Sequence, residues 1–170
     1  EIYLTLSIGI SNSPQDGSDC KLLLKNADIA MYEAKKTGQG GYHFFTKEMN
    51  TAALDRMNVE IGLRKALENN EFVLHYQPQI DLSSGALVGF EALVRWQHPE
   101  KGLVAPGDFI EIAEQNGLIA PIGCWVLEQA CRQNMEWQLQ GLAEVPIAVN
   151  LSARQFRFPQ ELLSQVKETL

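Results

Sequence analysis

Over residues 2–10 apolar side chains alternate with smaller or polar ones, a period of two that sets one greasy face on a core and predicts a strand. Turn-forming residues fill 11–19. Ser18 or Asp19 then stands where a helix cap is needed, ahead of Leu23, Ala27, Ala30 and Ala34 on one stripe, and Gly38 is expected to end that helix. A second short strand is expected over 42–45. From 47 to 70 Gly62 interrupts an otherwise helical pattern, and Leu54, Met57, Ile61 and Leu67 recur at helical spacing between charges, which predicts an amphipathic helix. The period changes again at 72–82. With a Ser83-Ser84-Gly85 turn and an alternating run over 87–96, this predicts a β-hairpin. Beyond a loop at 99–107, helices are predicted over 108–116 and 121–140, closed by Gly117 and Gly141. A strand over 145–151 follows, then a helix opened by Pro159 whose periodic pattern is still running at Leu170.

The changes of period divide the chain into an α/β part at 1–46, a connecting helix at 47–70 and a second α/β part at 71–170. Composition narrows the function classes. With 45% hydrophobic residues the chain can bury a core, and no apolar run approaches the roughly 20 residues needed to cross a bilayer, so no membrane contact is expected of this segment. A net charge of −7 without a compensating basic block argues against a nucleic-acid polymer as partner, but leaves room for a small anionic ligand held by a few local cations. Cys20, Cys124 and Cys131 lack CxxC or Cys/His metal spacing and read as reduced thiols in a cytoplasmic protein.

Candidate chemistry gathers on the strand at 90–96. One face carries Phe90, Ala92, Val94 and Trp96, the other Glu91, Leu93 and Arg95. A solvent-facing hairpin edge would give the same alternation. Two further strands also place isolated polar groups on an otherwise small or apolar face, His75 and Gln77 on one and Asn150 and Ser152 on the other, and that suits a sheet whose polar face lines a cavity. Glu91 and Asn150 are oxygen donors of the kind that suits Mg²⁺ or Mn²⁺ rather than zinc. Arg95 can present its planar fork to a phosphate beside such a cation, or form a cross-strand salt bridge.

Glu91-Ala92-Leu93-Val94-Arg95-Trp96 resembles the signature of the EAL family, and it stands in family order with Tyr76-Gln77-Pro78, Pro106-Gly107-Asp108-Phe109-Ile110 and Asn150-Leu151-Ser152. The resemblance implies a modified TIM barrel that hydrolyses cyclic di-GMP to linear pGpG with Mg²⁺ or Mn²⁺. It carries over Glu91 as catalytic metal ligand, Asn150 as the second ligand, Arg95 as phosphate contact, and Gln77 and Leu93 as lining of the dinucleotide site. The amino-terminal part is similar to the end of a GGDEF domain. Leu4-Thr5-Leu6-Ser7-Ile8-Gly9-Ile10 resembles its late core strand, and Ala27-Asp28-Ile29-Ala30-Met31-Tyr32-Glu33-Ala34-Lys35-Lys36 its last helix. Lys35 matches a lysine that touches nucleotide phosphates in active cyclases. It equally fits a solvated lysine favoured by the helix dipole, because the usual arginine four residues on is Gln39 here.

The fold class implied is therefore a partial GGDEF end, a nucleotidyl-cyclase-like α/β piece, followed by the first half of an EAL-type barrel. An intact barrel takes roughly 250 residues. The family's remaining metal ligands and catalytic lysine are expected beyond Leu170, and the GGDEF signature before Glu1, so this piece is expected to be inactive by itself. The expected parent is a cyclic di-GMP phosphodiesterase with a cyclase-inactive GGDEF domain, able to form a homodimer through either domain. The alternatives are a receptor that holds cyclic di-GMP without cleaving it, or a regulatory interaction module.

Overall fold

The computed structural model describes residues 4–36, 40–142 and 144–169. Readings that fell on Ile2, Tyr3, Gly38, Gln39 and Leu170 lie outside the described residues. The chain divides into two compact units, Glu1–Asn58 and Val59–Leu170.

In the first unit, strand β1 (Ser7–Ile10) pairs in parallel with β2 (Gly41–Phe44), and helix α1 (Cys20–Lys36) makes the crossover between them. Strand β1 is shorter than the alternation predicts, because β2 offers partners only from Ser7 onward, and Leu4 and Leu6 are exposed. Gly9 explains how closely strand and helix approach. A Cβ there would collide with the backbone of α1 at Ala27 and Met31. Ala30 and Ala34 are buried on the predicted stripe, and Asp19 is the cap, its Oδ1 accepting the Leu22 N–H at 2.9 Å. Asp19→Ala is expected to cost about 0.5–2 kcal/mol, read as a lower urea midpoint at unchanged slope.

The boundary between the units falls inside α2 (Lys47–Glu68). The expected stripe is corrected here. Leu54, Met57 and Ile61 are exposed, whereas Leu67 packs against the core as expected, beside the buried Leu63 and Ala66. Gly62 is part of the packed face, since a Cβ there would overlap the Trp96 ring.

The second unit is built on a sheet in which β4 (Leu87–His98) is central. Strand β3 (Phe72–Ile80) runs antiparallel on one side, with Phe72 opposite Trp96 and Gln77 opposite Glu91. The turn between them is set by Asp81, which accepts the Ser83 hydroxyl and the N–H groups of Ser83 and Ser84. On the other side β4 pairs with two short strands. Antiparallel β5 (Gly102–Val104) takes its far end, and parallel β6 (Ile147–Val149) takes Phe90, Glu91 and Ala92. Strand β5 lies in the expected loop at 99–107 and is too short for periodicity to reveal. A 3₁₀ turn (Pro106–Asp108) leads into α3 (Ile110–Asn116), which stops at Gly117 with φ 82°, a left-handed conformation that glycine adopts without strain. Helix α4 (Ile119–Leu139) starts ahead of Pro121, since a proline is tolerated in a first turn whose N–H groups have no helical acceptor. Past β6, a second 3₁₀ turn (Gln155–Arg157) precedes α5 (Pro159–Thr169).

The core of this unit fills the side of β4 that carries Ala92 and Trp96, where Leu63, Phe72, Phe109, Ala113, Ile122 and Val126 close over it. The ring of Phe72 lies 5.9 Å from Phe109, and Trp96 meets Phe109 edge on at 6.2 Å. With that face committed to the core, Glu91, Leu93 and Arg95 are turned to the opposite one.

Candidate functional site

Register decides which polar groups can meet. Because β4 and β6 run parallel with Glu91 opposite Ala148, residue 150 follows on the same face one pleat further on, just past the end of β6. The Asn150 amide nitrogen donates to Glu91 Oε1 at 2.6 Å, joining residues 59 apart in sequence. The two oxygen-bearing side chains predicted as ligands are thus in contact. A side-chain amide carries both a donor and an acceptor end, so rotation presents Oδ1 in place of the NH₂ group. A carboxylate beside an amide oxygen fits a hard divalent cation in donor type. Among the described residues no group of three His, Cys, Asp or Glu side chains could hold a metal.

Three of the other predicted residues lie on β3 and β4 of the same sheet, and Lys35 lies in the other unit. Gln77 lies on β3 directly opposite Glu91 and is exposed. Leu93 is opposite His75 on the same face. Arg95 sits four strand positions from Glu91, about 13 Å along the backbone, with Val73 as its cross-strand neighbour. That neighbour has no charge to pair with it, and among the described residues Arg95 makes no ion pair. Its guanidinium instead donates to the Val94 carbonyl at 2.8 Å. Lys35 is exposed in the last turn of α1, in the other unit, where the neighbouring Lys36 pairs with Glu33 at 2.7 Å.

Between the end of β6 and the start of β5, the edge of β4 at 93–95 has no strand partner. A cavity of about 270 Å³ opens there, lined by Leu93, Val94, Glu114, Asn150, Ser152 and Gln155 among others. Three of these polar residues form a network that sequence reading missed: Ser152 Oγ donates to Glu114 Oε1 at 2.6 Å, and the Ser152 N–H to Gln155 Oε1 at 2.9 Å. Only Ser152 carried a signal in the sequence, as the last residue of the Asn150-Leu151-Ser152 block.

The cysteines Cys20, Cys124 and Cys131 are free, and burial, with Glu128 nearby, pushes the Cys124 thiol up from its ordinary value. No helix among the described residues is long and apolar enough to cross a membrane.

Residues 62–170 match the model of the EAL domain, and residues 1–41 that of the diguanylate cyclase GGDEF domain. The bifunctional diguanylate cyclase/cyclic di-GMP phosphodiesterase MucR of Pseudomonas aeruginosa is 49% identical over 156 residues, which is 92% of this chain and 23% of that protein. The cyclic di-GMP phosphodiesterase PdeR of Escherichia coli is 45% identical over 170 residues, covering 100% of this chain and 25% of the relative. A solved structure described as the PaMucR phosphodiesterase in complex with cyclic di-GMP superposes with a TM-score of 0.63 at 48% identity, covering 66% of this chain and 45% of that one. The chain thus spans about a quarter of the length of these curated relatives.

Proposed function

We propose, since this chain belongs to the EAL domain family, that it serves cyclic di-GMP turnover, in which one phosphodiester bond of the cyclic dinucleotide is hydrolysed to give linear pGpG. The observation that carries this reading is the contact of Asn150 with Glu91 at 2.6 Å, which sets two oxygen donors side by side just past the carboxyl end of β6. In β/α folds that end is where ligand groups gather.

In this reading Glu91 and Asn150 hold Mg²⁺ or Mn²⁺, with the remaining positions falling to water, ligand oxygens or other groups. Bound there, the cation would lower the pKa of a coordinated water and stabilise charge on the attacked phosphate. Gln77 offers an amide to the ligand from the strand facing Glu91, and Leu93 gives the dinucleotide an apolar surface between Glu91 and Arg95. Arg95 exchanges its bond to the Val94 carbonyl for a phosphate oxygen, a stronger charge-assisted partner. Residues 1–46 and 71–170 act as separate units joined through 47–70, a view supported by their separate sheets. Lys35 is a nucleotide contact of the amino-terminal unit, which contributes regulation rather than cyclase activity, and self-association through either unit belongs to the same proposal.

The test is incubation of the intact protein with cyclic di-GMP and Mn²⁺, with products resolved by chromatography. Accumulation of pGpG is expected, whereas tight binding without product would make the protein a receptor. Arg95→Ala should then raise KM with little change in kcat, because a contact made equally in ground and transition states is lost from both. A charged hydrogen bond of about 1.5–3 kcal/mol corresponds to roughly a 10- to 150-fold rise. Steady-state kinetics at saturating Mn²⁺ checks this, and unchanged constants would return Arg95 to a surface role.

A further inference from the structure

Strand β6 ends at Val149, yet the amide that meets Glu91 belongs to the next residue, so something other than strand pairing has to hold Asn150 in place. Side chains hold the turn that follows. The Ser152 hydroxyl donates to Glu114 Oε1 at 2.6 Å and accepts the Arg154 N–H at 3.2 Å. The Ser152 N–H is taken by Gln155 Oε1 at 2.9 Å, and the Arg154 guanidinium donates to the Glu114 backbone carbonyl. Each anchor sits on a packed helix or against one. Glu114 is on α3 next to Ala113, which is fully buried. Gln155 is 8% exposed and lies against α4 at Gly123, where a Cβ would collide with its amide. The turn is therefore held by Glu114 from α3 and by Gln155 packed against α4, whose two bonds to Ser152 are partly out of water, where an unmade hydrogen bond is costly and a made one rigidifies, while the two bonds of Arg154 are exposed.

We propose that Glu114 is a positioning residue for Asn150: through Ser152 it fixes the turn that keeps the Asn150 amide within reach of Glu91, and so sets the affinity for the divalent cation. This rests on the reading of Glu91 and Asn150 as cation ligands. Glu114 bonds to Ser152 and Arg154 rather than to either ligand, so its effect travels through backbone placement.

The test is Mn²⁺ binding to the intact protein without substrate, followed by the paramagnetic resonance of the free ion. Glu114→Ala should weaken Mn²⁺ roughly 10- to 100-fold, the usual effect of removing a group that orients a ligand. Ser152→Ala should do the same, and it carries the expectation alone if Glu114→Ala does not fold. Glu114→Gln keeps an acceptor oxygen for Ser152 and should recover most of the affinity. A purely structural role would lower the melting temperature and leave the Mn²⁺ affinity of the folded variant unchanged, which overturns the proposal. Glu91→Ala in the same assay separates the two levels. If it weakens Mn²⁺ binding while Glu114→Ala and Ser152→Ala do not, the positioning role fails and the ligand assignment stands. If none of the three changes the affinity, the ligand assignment is wrong and the positioning role falls with it.

Discussion

Glu91→Ala is expected to reduce pGpG formation from cyclic di-GMP by at least about 10³-fold, some 4 kcal/mol of transition-state stabilisation, in the intact protein at saturating Mn²⁺. Glu91 accepts the Asn150 amide, and on the proposed reading its removal takes away both an anionic ligand and the hydrogen-bond partner of the second ligand. Raising the Mn²⁺ concentration should not restore the rate, because the variant has no charged oxygen at that place. Glu91→Gln, which keeps shape and loses charge, should be nearly as poor. Cyclic di-GMP binding should fall far less, since Arg95 and Gln77 remain. A near-normal kcat for Glu91→Ala would mean that this face of β4 is an ordinary solvent-facing edge.

The largest expected loss of stability follows from Trp96→Ala, at about 3–5 kcal/mol. Trp96 is 1% exposed and occupies the centre of the second unit's core, against Phe72, Phe109 and the helix surface at Gly62. Two contributions are unequal. Its indole N–H also donates to Glu71 Oε2 at 3.0 Å and holds that carboxyl below its ordinary value. A hydrogen bond to a charged group is worth about 1.5–3 kcal/mol net, at most the low end of the loss expected from the cavity, so the cavity leads. Since domains are stable by only about 5–15 kcal/mol, the variant should unfold at a much lower urea concentration, followed by circular dichroism. Leu82→Ala, at a side chain that is 100% exposed, should change little. A Trp96→Ala midpoint close to that of Leu82→Ala would show that the core is organised elsewhere.

Strand β4 is legible in the sequence because the alternation from Phe90 to Trp96 is broken only at Leu93, and the buried positions 92 and 96 fall on the apolar side. The family was legible for a different reason, the order of four short blocks, all of which lie within the matched residues 62–170. The spacing in helix α2 predicts a single stripe, although the division between units falls at Asn58 and Val59. One period was fitted across two packing environments, and Gly62 passed for an interruption when its missing side chain is what admits Trp96. The pattern over 145–151 predicts a longer strand than the Ile147–Val149 that forms. The last residues of that run do not pair with β4, and the turn from Asn150 to Gln155 takes its shape from side-chain bonds that periodicity does not register. Glu114 was invisible for the same reason, since its partner Ser152 is 38 residues away and only the folded register brings them together.

The most direct measurement is anomalous diffraction at the manganese edge from crystals of the intact protein grown with Mn²⁺ and cyclic di-GMP. The predicted result is a manganese peak in coordination contact with a Glu91 carboxylate oxygen and Asn150 Oδ1, with the amide turned from its present bond to Glu91 and a ligand phosphate beside the ion. A fully occupied manganese site elsewhere, with Asn150 still donating to Glu91, would contradict it.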